Sequence, residues 1–330
     1  MKITITEKYN KQRLDRVLNE LISEQSRSQI QKMILRGEIV VNGKVVPVHH
    51  FLKTGDTVEQ VTVKMEERLE TTTEPSPALE PTVLYADADF LVLEKPSGLL
   101  VHPTEKNEPH TVSGWLQQRY PEIVTVGEHS YSPRLRSGEA GRAGIVHRLD
   151  REVSGVMLAA RSQQAFNSLK EQFKQRMVKK EYTTICYGHL PEPKGRIELP
   201  IGRNRYGQFV AHPRRHRQKF NTDDKVAITD YEVLEYVKDY TVARIRILTG
   251  RTHQIRVHLS AIGHPILGDL TYKPKKQFIK FFSRRVKVIA VNRIFLHSTT
   301  IGFTDLAGQW KEFTSQLPDE MTTFINERKK

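Results

Sequence analysis

One carboxylate set between two guanidinium groups is the strongest chemical signal in the chain. It lies in Gly144-Ile-Val-His147-Arg148-Leu149-Asp150-Arg151-Glu152-Val153-Ser154-Gly155. An aspartate whose charged form is favoured by neighbouring cations is available as a nucleophile or base. Taken alone, however, such a cluster reads as a structural ion pair, because ion-pair networks have the same composition. Apolar runs on either side, Gly144-Ile-Val and Val156-Met-Leu-Ala-Ala160, read as short buried strands. Asp150 is then expected on a fixed loop between them.

Two further stretches carry polar groups between strand-like runs. Lys95-Pro96-Ser97-Gly98-Leu99-Leu100-Val101-His102-Pro103 follows Phe90-Leu-Val-Leu-Glu94, and its prolines and glycine punctuate a turn. Thr249-Gly250-Arg251-Thr252-His253-Gln254-Ile255-Arg256-Val257-His258-Leu259 runs on through Gly263-His264-Pro265-Ile266-Leu267-Gly268-Asp269. Ala243–Leu248 alternates like a strand, Gly250 breaks it, and Thr252 is placed to cap a short helix. Ile255, Leu259 and Ile262 share one face of that helix, while Arg256 projects elsewhere. Either stretch alone is compatible with a turn or a solvated surface helix.

Together the three stretches resemble the RluA-type pseudouridine synthases. That family's central signature, H-R-L-D-x-x-T-S-G, is accompanied in the same chain order by K-P-x-G-x-x-V-H-P and T-G-R-x-H-Q-I-R. The resemblance covers residues 81–316, and three ordered blocks are far more specific than any one of them. One departure is Val153, which occupies the usual threonine position: the shape is similar, but a hydroxyl hydrogen bond is lost. The resemblance implies an isomerase that detaches uracil from ribose, rotates it and rejoins it through carbon 5, a reaction that needs no cofactor. It implies Asp150 as the catalytic carboxylate, Arg256 as its partner and Tyr182, in Lys180-Glu-Tyr182, as the ring beneath the flipped base. Arg148 resembles the arginine that fills the gap left in the RNA. Lys95, His102, His147, Arg251, His253 and Gln254 are carried over from the same blocks as contacts to substrate RNA. The implied fold is α+β: a mixed, largely antiparallel sheet with helices and loops around a cleft, preceded by a small α/β RNA-binding domain.

That small domain has its own pattern. Leu14, Leu18 and Leu21 share a helical face, Ser26-Arg27-Ser28 can cap a second helix, and Glu38-Ile-Val-Val-Asn42-Gly43-Lys44-Val-Val reads as a hairpin with an Asn-Gly turn. This looks like the ribosomal-protein S-four type (alpha-L) RNA-binding domain, in which Arg27, Gln31, Lys32, Arg36 and Lys44 would meet RNA backbone. Charge is laid out to match. Residues 1–65 are net +4, the Thr/Glu/Pro stretch 66–80 is net −4, and the remainder is net +14. We therefore expect an RNA-binding domain over 1–65, a linker over 66–80, a catalytic domain over 81–316 and a tail over 317–330.

A total charge of +14 over 330 residues points to a polyanionic partner or an acidic membrane surface. The chain has no apolar run long enough to cross a bilayer and does not begin like a signal peptide, and its lone Cys186 suits a reducing cytoplasm. Basic runs at Arg203–Lys219 and Lys273–Lys287, interleaved with aromatic residues, add candidate backbone contacts. His212 and His216 have helical spacing, but Pro213 and the surrounding arginines disfavour a metal, and no phosphate-binding glycine loop is present. The expected substrate is large-subunit ribosomal RNA, with transfer RNA second, and the expected form is a cytoplasmic monomer. A protein that binds RNA and assists ribosome assembly without catalysis is the rival reading.

Overall fold

The computed structural model describes residues 2–60 apart from 11, 23–29, 31–32, 35–37 and 47–49, and residues 79–329 apart from 105–109, 129–142, 205–206, 212–223 and 274–290. Arg27, Gln31, Lys32, Arg36, most of the acidic stretch and most of the two later basic runs lie outside the described residues. The chain divides into two compact units, residues 1–76 and 77–330, each with its own hydrophobic core.

In the first unit, β1 (Lys2–Thr4), α1 (Leu14–Leu21), β2 (Ile39–Val41), β3 (Lys44–Val45) and β4 (Thr57–Gln60) form an antiparallel sheet, ordered β1-β4-β2-β3, with a helix against it. Leu14, Val17 and Leu18 recur at helical spacing and bury fully among Ile39, Val41, Leu52 and Val58. Asn42 and Gly43 both have positive φ (51° and 72°), and Val41 pairs with Lys44 across them. This is the two-residue turn that Asn-Gly favours. It leaves the Lys44 side chain exposed.

The second unit contains β5 (Thr82–Ala86), β6 (Phe90–Lys95), α2 (Val112–Arg119), β7 (Ser154–Ala160), α3 (Gln163–Lys174), β8 (Lys179–Tyr187), β9 (Lys194–Glu198), β10 (Ile201–Arg203) and β11 (Phe209–Ala211). It continues with β12 (Ile228–Val237), β13 (Tyr240–Ile247), α4 (Gln254–Ala261), β14 (Leu296–Thr304), β15 (Trp310–Thr314) and α5 (Asp319–Arg328). Among the described residues nine strands form one sheet ordered β5-β6-β7-β14-β8-β13-β12-β9, with β15 on β14. Among the described strands every pairing in this sheet is antiparallel except β7 with β14, where Ser154 faces His297 and Gly155 faces Ser298. Gly155 has φ +114°, and a Cβ there would lie 2.2 Å from the Ser298 carbonyl oxygen, so the close parallel approach requires glycine.

Three expectations are corrected. The run before Asp150 is not a strand: Ile145 makes one isolated bridge to Ala159, and residues 146–150 have no regular secondary structure. Thr252 is not the helix cap. His253, in the left-handed region at φ +56°, precedes α4 instead. The segment beyond residue 316 is no tail, because α5 buries Met321, Phe324 and Ile325 against Tyr240 and Phe295. The apolar run Val156–Ala160 lies in β7 and is buried throughout, Ser162 Oγ accepts from the Ala165 amide to cap α3, and Cys186 is buried on β8.

Candidate active site

The loop between Leu149 and Ser154 is held by burial on both sides of the carboxylate. Leu149 and Val153 are both buried in the main core, and the Val153 amide donates to the Asp150 carbonyl at 3.2 Å, closing a tight turn. The Lys95–Leu99 turn then grips the backbone of that loop. The Gly98 amide donates to the Arg151 carbonyl (2.8 Å), Arg151 Nε donates back to the Gly98 carbonyl (3.1 Å), and Ser97 Oγ donates to the Glu152 carbonyl (2.5 Å). Lys95 is fully buried, and its Nζ donates to the carbonyls of Pro96 (2.9 Å), Leu99 (2.8 Å) and Arg151 (3.0 Å). Burial pulls its pKa down to about 7, against the opposing charges of Glu152 and Asp150.

Arg256 meets the same loop from α4. Its Nε and Nη2 donate to Asp269 Oδ2 and Oδ1 at 2.7 and 3.0 Å, while Nη1 reaches Asp150 Oδ2 at 3.3 Å and lies 3.6 Å from Glu152 Oε2. The guanidinium fork suits this double duty, since one edge is fixed by a carboxylate while the other stays directed at a second. Asp269 also accepts from the amides of Thr271 and Tyr272 (2.8 and 2.9 Å). Burial acts to raise the Asp269 pKa, but the Arg256 contacts and these amides take it below the usual carboxylate value. Burial likewise opposes the charge on Arg256, and its bonds to Asp269 and the charge of Asp150 more than offset it. Gln254 locks the start of α4: its amide donates to Ile228 O and Thr229 Oγ1, and its Oε1 accepts from Thr249 Oγ1 and the Arg251 amide.

Two rings complete the surroundings of Asp150, whose side chain is 19% exposed. Tyr182 on β8 is buried opposite Ser298, and burial, helped by the Asp150 charge, pushes its hydroxyl pKa up, so it stays protonated. His253 places Nε2 3.9 Å from Asp150 Oδ2 and Nδ1 2.9 Å from the Tyr272 hydroxyl, and the Tyr272 ring centroid lies 5.3 Å from the Arg256 guanidinium.

The structure thus brings Asp150, Arg256, Tyr182 and His253 together and leaves Arg148 exposed beside them and His102 half-buried. It corrects three of the expected RNA contacts. Lys95 turns inward onto carbonyls, and Gln254 is consumed by backbone and hydroxyl partners. His147 accepts from the Leu158 amide through Nε2 (2.8 Å) and stacks on Phe173, with burial pushing its pKa down to about 3. Arg251 directs its Nε to the Val226 carbonyl at 3.1 Å. Asp269 and Tyr272 carry no expectation from sequence, although Asp269 closes the stretch that begins at Thr249. A second unexpected group is the buried His297, bonded to Ser154 Oγ (2.7 Å) and Ser315 Oγ (3.0 Å), while Arg293 donates to the Ser154 hydroxyl. Burial and the Arg293 charge push His297 down to about 4. Among the described residues no group of three or more His, Cys, Asp or Glu side chains is arranged to hold a metal.

Comparison with known proteins decides what this arrangement belongs to. The RNA pseudouridylate synthase family matches residues 89–261, and the S4 domain matches residues 12–58. An uncharacterised RNA pseudouridine synthase, YlyB, of Bacillus subtilis is 33% identical over 99% of this chain and 98% of its own length. The chain belongs to the RNA pseudouridylate synthase family. Ribosomal large subunit pseudouridine synthase D of Yersinia pestis is 34% identical over 98% of this chain and 93% of its own length, and that of Escherichia coli K12 is 33% identical over 98% and 92%. The fold agrees with two solved human proteins, RNA pseudouridylate synthase domain containing 4 (TM-score 0.54, 22% identity, 75% of this chain and 93% of that one) and domain containing 1 (0.52, 24%, 78% and 97%). As an RNA pseudouridine synthase the chain isomerises uridine within RNA, and its N-terminal S4 domain is an RNA-binding module. The matched pseudouridylate synthase segment contains Asp150, Tyr182 and Arg256 but ends before Asp269 and Tyr272, which hold Arg256 and His253 in place.

Proposed function

We propose that this pseudouridine synthase acts on large-subunit ribosomal RNA, with Asp150 as its catalytic carboxylate. The observation that carries the reading is the Asp150 carboxylate held 3.3 Å from an Arg256 whose other edge is fixed by Asp269. Arg256 keeps the carboxylate oriented toward the ribose and base, and the Tyr182 ring supplies a face for the flipped uracil. Extruding the target base costs a few kcal/mol, least in loops and single strands. The exposed Arg148, next to Asp150 in sequence, is suited to occupy the vacated stack. Relatives named for the large ribosomal subunit, the S4 domain and the +14 charge support ribosomal RNA as the substrate. Residues 1–65 would anchor the RNA through Arg27, Lys32, Arg36 and Lys44, and the enzyme would work as a cytoplasmic monomer without a cofactor.

The test is to map pseudouridines across all RNAs in a strain lacking the gene and in the same strain carrying Asp150→Asn. Loss of defined sites in large-subunit ribosomal RNA, restored by the parent and not by the variant, is the expected result. Loss confined to transfer RNA would overturn the substrate, and restoration by Asp150→Asn would overturn the assignment of the carboxylate.

A further inference from the structure

Joining the sugar to carbon 5 of uracil leaves that carbon holding both the new glycosidic bond and its original hydrogen. The ring is restored when the C5–H bond breaks. Its electron pair returns to form the C5–C6 double bond, its proton passes to a base, and N1, which has lost the sugar, ends with a proton. One proton leaves carbon 5 and one arrives at nitrogen 1, so the isomerisation balances without any other reactant. The enzyme must supply the acceptor close to Asp150.

The side chains facing that carboxylate differ in what they can accept. Arg256 is a cation locked to Asp269. Asp269 is buried and bonded at both oxygens. Tyr182 is held as the neutral phenol by burial and by the Asp150 charge, which opposes a phenolate there. Lys95 is committed to three carbonyls, and Glu152 stands at the exposed rim beside Arg256. His253 is different. Its side chain is 28% exposed, its Nε2 lies 3.9 Å from Asp150 Oδ2, and its Nδ1 is anchored 2.9 Å from the Tyr272 hydroxyl. With Nδ1–H donated to the Tyr272 oxygen, the Nε2 lone pair faces the site. The backbone holds it there at φ +56°, a conformation that costs a residue with a Cβ and that clusters at functional sites.

We propose, on the pseudouridine synthase reading above, that His253 Nε2 takes the proton from carbon 5 and that Tyr272 positions it through Nδ1. The groups around the ring suit this cycle. Burial keeps the resting imidazole neutral, with Arg256 acting in the same direction, while Asp150, Asp269 and Glu152 lie close enough to stabilise the imidazolium once it forms. The Phe209 ring meets the imidazole edge-on, with centroids 5.9 Å apart. The imidazolium then releases its proton toward N1 or to water, and the histidine returns to its starting form.

The experiment compares single-turnover rates on an RNA that the parent modifies, prepared with hydrogen or deuterium at carbon 5 of the target uridine. His253→Gln should slow the reaction on the order of a hundredfold or more, the scale of a lost general base. Proton loss should then limit the rate, so a deuterium effect of about twofold or more should appear that is absent or smaller in the parent. Tyr272→Phe should give a milder loss, about tenfold, with the same isotope signature. His253→Gly, which suits the left-handed backbone, should repeat the Gln result if that variant folds poorly. A parent-like rate in His253→Gln, or a slower rate with the parent's isotope effect in both His253 variants, would overturn the assignment, because a structural role slows catalysis without exposing C5–H cleavage. Inactivity of the parent on every RNA would overturn the functional reading and this one with it.

Discussion

Lys95 and Arg256 are both buried cations that reach the same Asp150 loop, from the β6 turn and from the start of α4. Lys95 has carbonyls for partners and grips the main chain at Arg151, whereas Arg256 has carboxylates for partners and grips the side chain of Asp150. The split follows from chemistry. An ammonium is a compact donor with three N–H groups, matched here by three carbonyls, while a planar guanidinium can bind one carboxylate along an edge and present the other edge to a second. Fixing where a loop runs and fixing how its carboxylate points are thus separate tasks assigned to different residue types. Mutations should separate them.

The largest effects belong to the side-chain grip. Asp150→Asn should abolish turnover while leaving the fold intact. Arg256→Ala should slow single turnover by about 10² to 10⁴-fold, because breaking a buried charge pair costs roughly 3–5 kcal/mol and here strands two carboxylates. Arg256→Lys should recover little of this, since a single ammonium cannot bridge Asp269 and Asp150. A rapid-quench assay decides, and near-parent rates for Arg256→Lys would erase the distinction drawn above.

The main-chain grip should show in stability first. Lys95→Met leaves three carbonyls without their donor, each worth on the order of 1 kcal/mol or more when buried. Urea unfolding at neutral pH should show a net loss of a few kcal/mol. The pH dependence has a definite sign. The folded pKa of Lys95, about 7, lies below its unfolded value, so the cost of a buried charge is full below pH 7 and relieved as pH rises toward 10. The stability gap between parent and Lys95→Met should therefore widen from pH 7 to 9, and a gap that narrows would refute the picture of a burdened ammonium.

The far end of the loop is tied at Ser154 by His297, whose folded pKa of about 4 also lies below its unfolded value. For a histidine this contributes stability that is present above about pH 6.5 and lost as pH falls through 4, a loss of about 3 kcal/mol. Melting temperatures of the parent should drop over that range, and His297→Asn should flatten the slope. The smallest effect is reserved for Val153→Thr. The Asp150 turn is closed by main-chain bonds and by burial of Leu149 and Val153, so an added hydroxyl, worth about 1 kcal/mol, should alter the rate by tenfold at most.

These contacts also mark how far the sequence could be read. The order of three motif blocks brings Asp150 and Arg256 together from 106 positions apart, and the Asn42-Gly43 turn has the conformation its composition demands. Lys95 was readable in part: alternation along β6 places it on the same face as Leu91 and Leu93, which predicts an inward lysine better than an RNA contact does. Asp269 had no such signal, because an aspartate after glycine ordinarily means turn chemistry, and only folding brings it onto Arg256. Ser154 and His297 meet from 143 residues apart, beyond any local pattern. The helix at the C-terminal end was legible in Met321, Phe324 and Ile325, whose spacing is that of a buried helical stripe.

The position of β14 between β7 and β8 has a consequence for biosynthesis. The sheet's two halves, β5-β6-β7 and β8-β13-β12-β9, have no hydrogen-bonded seam among the described strands other than β14. A strand made after nearly three hundred residues must therefore arrive before the Asp150 loop acquires its Ser154 anchor. Contacts of such long sequence separation form slowly, after local hairpins are already in place. During translation the nascent chain would hold two preassembled half-sheets with an incomplete site, and catalytic competence would emerge only once β14 has left the ribosome and inserted between them.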